Sequence, residues 1–247
     1  MRLSTRRIEK QPKVRAFRSK SSLRTISIES SSSVSLLLLT EYPCFGYNTM
    51  TGKEWWKICV LRSFTLAGVT TMGPRQAHDV FQRIYSVFGS QAAYERFDDA
   101  RPFLHWAHRR GLVCGLLSNA DERYGDSILP MLDLSMSSTG QQELQFQLFS
   151  KDYGLEKPDP KFFAAAVQRA AEAKQQETLH PSHVLHIGND YTKDFEGARR
   201  AGMHAILLDR YHETERAKEW RRRGAVVLQD LMDVVEFLGQ SQCKLGD

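Results

Sequence analysis

Three groups of polar residues close short apolar runs, and their types suit phosphate chemistry. Ser118 and Asn119 follow the run Leu112 to Leu117, Lys157 lies between Gly154 and Pro158, and Asn189, Asp190 and Asp194 follow Val184 to Gly188. A hydroxyl and an amide beside a helix start can cradle phosphate oxygens. An ammonium can neutralise both a phosphate and a carboxylate nucleophile. Asp190 and Asp194 stand one helical turn apart. With the Asn189 carbonyl they offer the hard oxygen donors that magnesium takes. Together the groups would form an anion site with a Mg²⁺ corner, as phosphoryl transfer requires. Each group also has a plainer role open to it. Ser118 can cap a helix, Lys157 can be solvated, and Asn189 and Asp190 can make a turn and cap the next helix.

The spacing of the apolar runs decides what positions these groups. Strand-like runs at 112–117, 146–149, 184–187, 205–208 and 225–228 alternate with helical patterns. That alternation predicts a doubly wound parallel α/β sheet, Rossmann-like, whose strand ends open into a ligand crevice. Asp159 and Pro160 read as the N-cap and first residue of a helix reaching about Lys174. Residues 53–68 and 74–88 read as two helices with no strand between, a small helical cap, and Val34 to Thr40 reads as a buried strand. The polar stretch from Ser135 to Gln145 reads as a loop. The expected division is a basic Ser/Arg-rich tail over 1–33, a cap over 47–97, and a core made of 34–46 and 98–247.

Composition sets the bounds. The 247 residues carry a formal charge of +5, with 41% hydrophobic and 26% charged residues, as in ordinary globular chains. Nine basic and two acidic residues give the first 40 positions a net +7, which leaves −2 for the other 207. The folded part therefore lacks the basic face expected of a nucleic-acid-binding domain, and no apolar run is long enough to span a bilayer. The four cysteines are widely spaced, which argues against a zinc site or a disulfide framework. The tail has the composition of an organelle-targeting peptide, and a role-less extension fits it equally. The expected location is cytoplasm or nucleus, or mitochondrion or plastid if the tail is a transit peptide.

Leu116-Leu-Ser-Asn119, Glu156-Lys-Pro-Asp-Pro160 and His186-Ile-Gly-Asn-Asp-Tyr-Thr-Lys-Asp194 resemble the second, third and fourth motifs of the haloacid dehalogenase superfamily. The similarity runs from about Gly52 to the C-terminus and includes Gly197-Ala-Arg-Arg-Ala-Gly-Met203. The resemblance implies a Rossmann-like core, a helical cap after the first strand, Mg²⁺, and phosphomonoester hydrolysis through an aspartyl-phosphate. It implies that Ser118 binds phosphate, that Lys157 steadies nucleophile and phosphate, and that Asp194 helps hold the metal.

Two departures stand out. The superfamily's first strand ends in Asp-x-Asp, whereas the first aspartate here is Asp79; Glu41 is the nearest substitute. The family's aspartate after the motif glycine is replaced by Asn189, which weakens the metal site. The first core strand is thus expected to be missing or replaced, and the chain to be inactive or impaired. The alternatives are a non-catalytic phosphate-binding or regulatory module for small phosphorylated molecules, and a truncated form of an active hydrolase.

Overall fold

Short Leu, Ile and Val runs, each stopped by a polar residue or glycine, set the frame of this chain. Its computed structural model describes residues 28–134, 144–211 and 214–243. Among the described residues the strands are β1 (Gly115–Ser118), β2 (Phe146–Phe149), β3 (Leu185–Gly188), β4 (His204–Leu208) and β5 (Val226–Leu228). All pair in parallel, and they divide into two sheets, β1–β2 and β3–β4–β5. The helices longer than two turns are α1 (Ile28–Glu41), α2 (Gly52–Leu66), α3 (Pro74–Val87), α4 (Ala100–Arg109), α5 (Pro160–Ala173), α6 (Thr214–Arg222) and α7 (Leu231–Cys243). Parallel strands need crossover connections, and helices supply them here. This is the α/β architecture that the alternation of patterns predicts. None of the described helices is long and apolar enough to cross a membrane.

The helix α5 shows how sequence becomes architecture. Asp159 accepts a hydrogen bond from the Lys161 amide at 2.8 Å, and Pro160 opens the first turn. Phe162, Ala166 and Ala170 then form one buried stripe, while Phe163 and Val167 form a second beside it. The first stripe packs on Phe146 and Leu148 of β2, the second on Ala198, Met203 and Ala205, and Leu117 of β1 touches both groups. One helix therefore covers one face of both sheets. On the opposite face of the larger sheet, Phe103 of α4 and Val234 of α7 pack with Leu185, Ile187, Ile206 and Leu208.

Burial differs between neighbouring strands. In a parallel sheet the inner strands are the most enclosed. Here Leu148 of β2 and Leu207 of β4 are 0% exposed, whereas Leu116, Leu117, Leu185 and Ile187 of β1 and β3 are only half-buried. Among the described residues no strand pairs with the remaining edge of β1 or of β3.

Val34 to Thr40 is helical, contrary to the strand expected there, and lies within α1. Val34 and Leu38, four apart, face inward at 2% and 0% exposure and pack with Trp55 and Cys59 of α2, while Leu36 and Leu37 face outward. This is helical spacing, and partner burial selects it over the extended form. α2 itself starts with a capping box, in which Thr51 and Glu54 satisfy each other's amides. Between α1 and α2, Cys44, Phe45 and Gly46 take left-handed φ values of 49°, 55° and 72°. Lys151 Nζ holds this turn by donating to the Gly46 and Met50 carbonyls at 3.0 and 2.5 Å. Glu41 ends α1 exposed and paired with Arg62 at 2.5 Å. Of the expected 135–145 loop, residues 135–143 lie outside the described residues.

Candidate anion site

The apolar strand β3 stops at Gly188, where a side chain would collide with the Asp194 carboxyl. The chain then turns. Asp190 accepts from the Lys193 amide at 2.8 Å and caps a wide helical turn, Tyr191–Glu196, wound as a π-helix. That turn folds Asp194 back over the strand end. Its Oδ2 accepts from the amides of Asn189 and Asp190 at 3.0 and 2.9 Å. Its Oδ1 accepts from Lys157 Nζ at 2.7 Å and faces His186 Nε2 at 3.0 Å. Asp194 is 4% exposed. Burial alone would raise its carboxyl pKa, but the His186 hydrogen bond and the Lys157 charge outweigh burial and hold it well below the usual carboxylate range.

Lys157 owes its position to Asn119. The Asn119 Oδ1 accepts from the Lys157 amide at 2.7 Å, and its Nδ2 donates to the Lys157 carbonyl at 2.9 Å. The Lys157–Pro158 peptide is cis. Both ends of the Asn119 amide are thereby spent on the lysine's main chain. Ser118 ends β1 in register with Phe149, and its hydroxyl makes no hydrogen bond among the described residues. Asn119→Ala should release the Lys157 segment and cost about 1–3 kcal/mol, because it strands a partly buried amide and carbonyl. Chemical denaturation of the variant checks this, and a loss below about 0.5 kcal/mol would contradict it.

The structure thus gathers Asn119, Lys157, Asn189, Asp190 and Asp194 at one end of β1 and β3 through named bonds, with Ser118 beside Asn119. Two features escaped the sequence reading. His186 projects from β3 onto Asp194, and its ring stands edge-on to Phe163 with centroids 5.2 Å apart. A lone histidine in an apolar strand was the one signal for it. The second is Asp121, 1% exposed, which binds the Arg123 guanidinium at 2.8 and 3.0 Å and receives the Trp56 indole N–H. Arg123 also lies 4.3 Å from the Tyr85 ring centre. This cluster ties α2 and α3 to the end of β1.

Magnesium, which the resemblance implies, meets a donor set largely in use. Both Asp194 oxygens are occupied, and an ion at Oδ1 would have to displace the Lys157 ammonium. Asp194 as placed does not fit as a magnesium ligand. The second oxygen of Asp190 and the Asn189 amide oxygen are what remain of the expected set. Among the described residues no three His, Cys, Asp or Glu side chains group closely enough to hold a metal ion.

Parallel sheets covered by helices, with a buried lysine–carboxylate pair and a serine at the strand ends, define a protein of the α/β class. The chain belongs to the haloacid dehalogenase-like hydrolase family, whose pattern matches residues 48–202. Haloacid dehalogenase-like hydrolase domain-containing protein 3 of Mus musculus is 32% identical over 168 residues, covering 68% of this chain and 61% of that protein. The chain therefore spans about three fifths of the length of that relative. Phosphoserine phosphatase of Thermus thermophilus is 28% identical over 137 residues, 56% of this chain and 49% of that one. The fold resembles the putative HAD-hydrolase YfnB from Bacillus subtilis, solved bound to magnesium, with a TM-score of 0.59 at 14% identity. That match covers 86% of this chain and 83% of that one.

Proposed function

We propose that this polypeptide is a phosphatase-related module that binds phosphate esters without hydrolysing them. The observation that carries the reading is the state of Asp194. It is the carboxylate held at the joined strand ends, and both its oxygens are filled. A carboxylate whose two oxygens already serve four hydrogen-bond partners is held away from attack on phosphorus. Asp190, the next carboxylate, is turned to its own helix cap. Lys157 and the unbonded Ser118 hydroxyl remain as donors for a phosphate oxygen, and Asn119 acts as a positioning residue for the lysine. The helices α2 and α3 are the proposed cap, and Asp190 with Asn189 the proposed weak magnesium donors.

Calorimetry with inorganic phosphate should give a saturable isotherm, and Ser118→Ala should weaken it roughly tenfold. The serine side chain carries no structural bond, so the variant keeps its fold. Magnesium chloride alone should bind more weakly than phosphate does. With p-nitrophenyl phosphate the rate should equal that of buffer. Turnover that Ser118→Ala diminishes would overturn the non-catalytic reading, and absence of phosphate heat would overturn the binding one.

A further inference from the structure

A second group of charges stands at the far end of the larger sheet, apart from Asp194. The strands are parallel, so β4 and β5 end on the same side as β3, the side on which α/β sheets take ligands. A cavity of about 250 Å³ lies at the ends of β4 and β5, lined by Asp209, Arg221, Val227, Leu228, Gln229 and Asp233.

Three of these side chains are charged, and each has a fixed footing. The Asp209 amide donates to the Leu228 carbonyl at 2.8 Å, which extends the β4–β5 ladder and sets Asp209 beside the end of β5. Its neighbour Arg210 pairs elsewhere, with Asp99 at 2.9 Å. Arg221, in the last turn of α6, donates from Nη2 to the Val227 carbonyl at 3.1 Å. Asp233, in the first turn of α7, accepts the Gln229 amide on Oδ2 at 3.0 Å, and its own amide donates to Asp230.

Arg221 and Asp233 thus bring opposite charges to one small cavity without meeting. Among the described residues no ion pair joins this guanidinium to a carboxylate. Two unanchored side chains of opposite charge would close on each other. Here each is tied by one arm to the main chain on its own side. The other N–H groups of Arg221 and the Oδ1 of Asp233 are left to face a ligand, already oriented.

We propose that this cavity binds a small aliphatic α-amino acid as its zwitterion. The ligand's carboxylate pairs with Arg221, and its ammonium with Asp233, where Asp209 adds a second negative charge. Its side chain lies on Val227 and Leu228, the apolar part of the lining. Pockets for drug-sized ligands run from roughly 300 to 1,000 Å³, so this cavity selects a ligand of few atoms. A ligand with a single charge would leave one anchored group unanswered, whereas a zwitterion answers both. None of these residues belongs to the Ser118, Lys157 and Asp194 group, so the inference stands or falls apart from the phosphate reading.

The test is calorimetry on the full 247-residue chain with L-valine. A saturable isotherm with a Kd of about 1 mM or tighter is expected. Isovalerate lacks the ammonium and isobutylamine lacks the carboxylate, and each should bind roughly tenfold more weakly or worse. Arg221→Gln and Asp233→Asn should each weaken valine binding by a similar factor, the asparagine keeping an acceptor for the Gln229 amide. Thermal melts matching the wild type identify the variants as folded. No saturable heat with valine would overturn the proposal. So would isobutylamine binding as tightly as valine, which would reduce the site to a cation pocket. Valine binding retained in full by both folded variants would overturn it as well, by placing the ligand elsewhere on the molecule.

Discussion

Asp194→Ala is expected to lower the unfolding free energy by about 3–5 kcal/mol, the cost of breaking a buried ion pair from one side. The side chain accepts from Lys157 and from the Asn189 and Asp190 amides, and meets His186. Alanine would strand them together, leaving the 13%-exposed lysine side chain with an uncompensated charge. Urea denaturation checks this, and a loss under about 1 kcal/mol would mean the cluster relaxes into water. The same carboxylate sets an acid limit. Its pKa is lower folded than unfolded, so its contribution is fully present above the unfolded value of about 4. The contribution drains away as pH falls below that value toward the folded one. The wild-type chain should thus lose stability on acidification below about pH 4 more steeply than Asp194→Asn, which has no such carboxyl to protonate.

Arg123→Met should cost about as much, again about 3–5 kcal/mol, for a related reason. It leaves Asp121, 1% exposed, with the Trp56 indole and a backbone amide but no cation. It also removes the guanidinium that stacks near Tyr85 and Trp56, and so the link between the α2–α3 pair and the end of β1. The loss should appear first as faster amide exchange and proteolysis across residues 52–87, ahead of global unfolding. Replacing Asp121 by leucine in the same variant should recover part of the stability, because the orphaned charge is then gone. If the double variant is no better than the single one, the arginine's role is stacking rather than charge pairing.

The parts that were legible in the sequence are those decided locally. Asp159-Pro160 specifies a helix start with its own side chain and ring, and α5 begins there. The runs before Ser118 and Asn189 are strands because glycine and polar residues bound them closely. The run from Val34 to Leu39 misleads because its leucines satisfy either period, and only the α2 surface, with Trp55, chooses the helix. Asp190 was legible as a cap and as a ligand, and the bond to Lys193 shows the capping. The state of Asp194 was out of reach. It depends on Lys157, 37 positions away, and on a π-turn whose winding leaves no mark in composition. The same holds for Trp56 and Asp121, 65 positions apart.

The two-striped helix α5 has a consequence for cooperativity. The β1–β2 half and the β3–β4–β5 half each possess a hydrophobic nucleus, and α5 belongs to both through faces that meet along its length. Because no ladder of main-chain bonds joins β1 to β3 among the described residues, this helix, the Leu117 and Leu179 side chains and the Lys157 bridge carry the coupling between the halves. The molecule then behaves as two foldons sharing a hinge pin. Its heat-unfolding transition should be broader than a single all-or-none event of the same total enthalpy, with the van't Hoff enthalpy falling short of the calorimetric one.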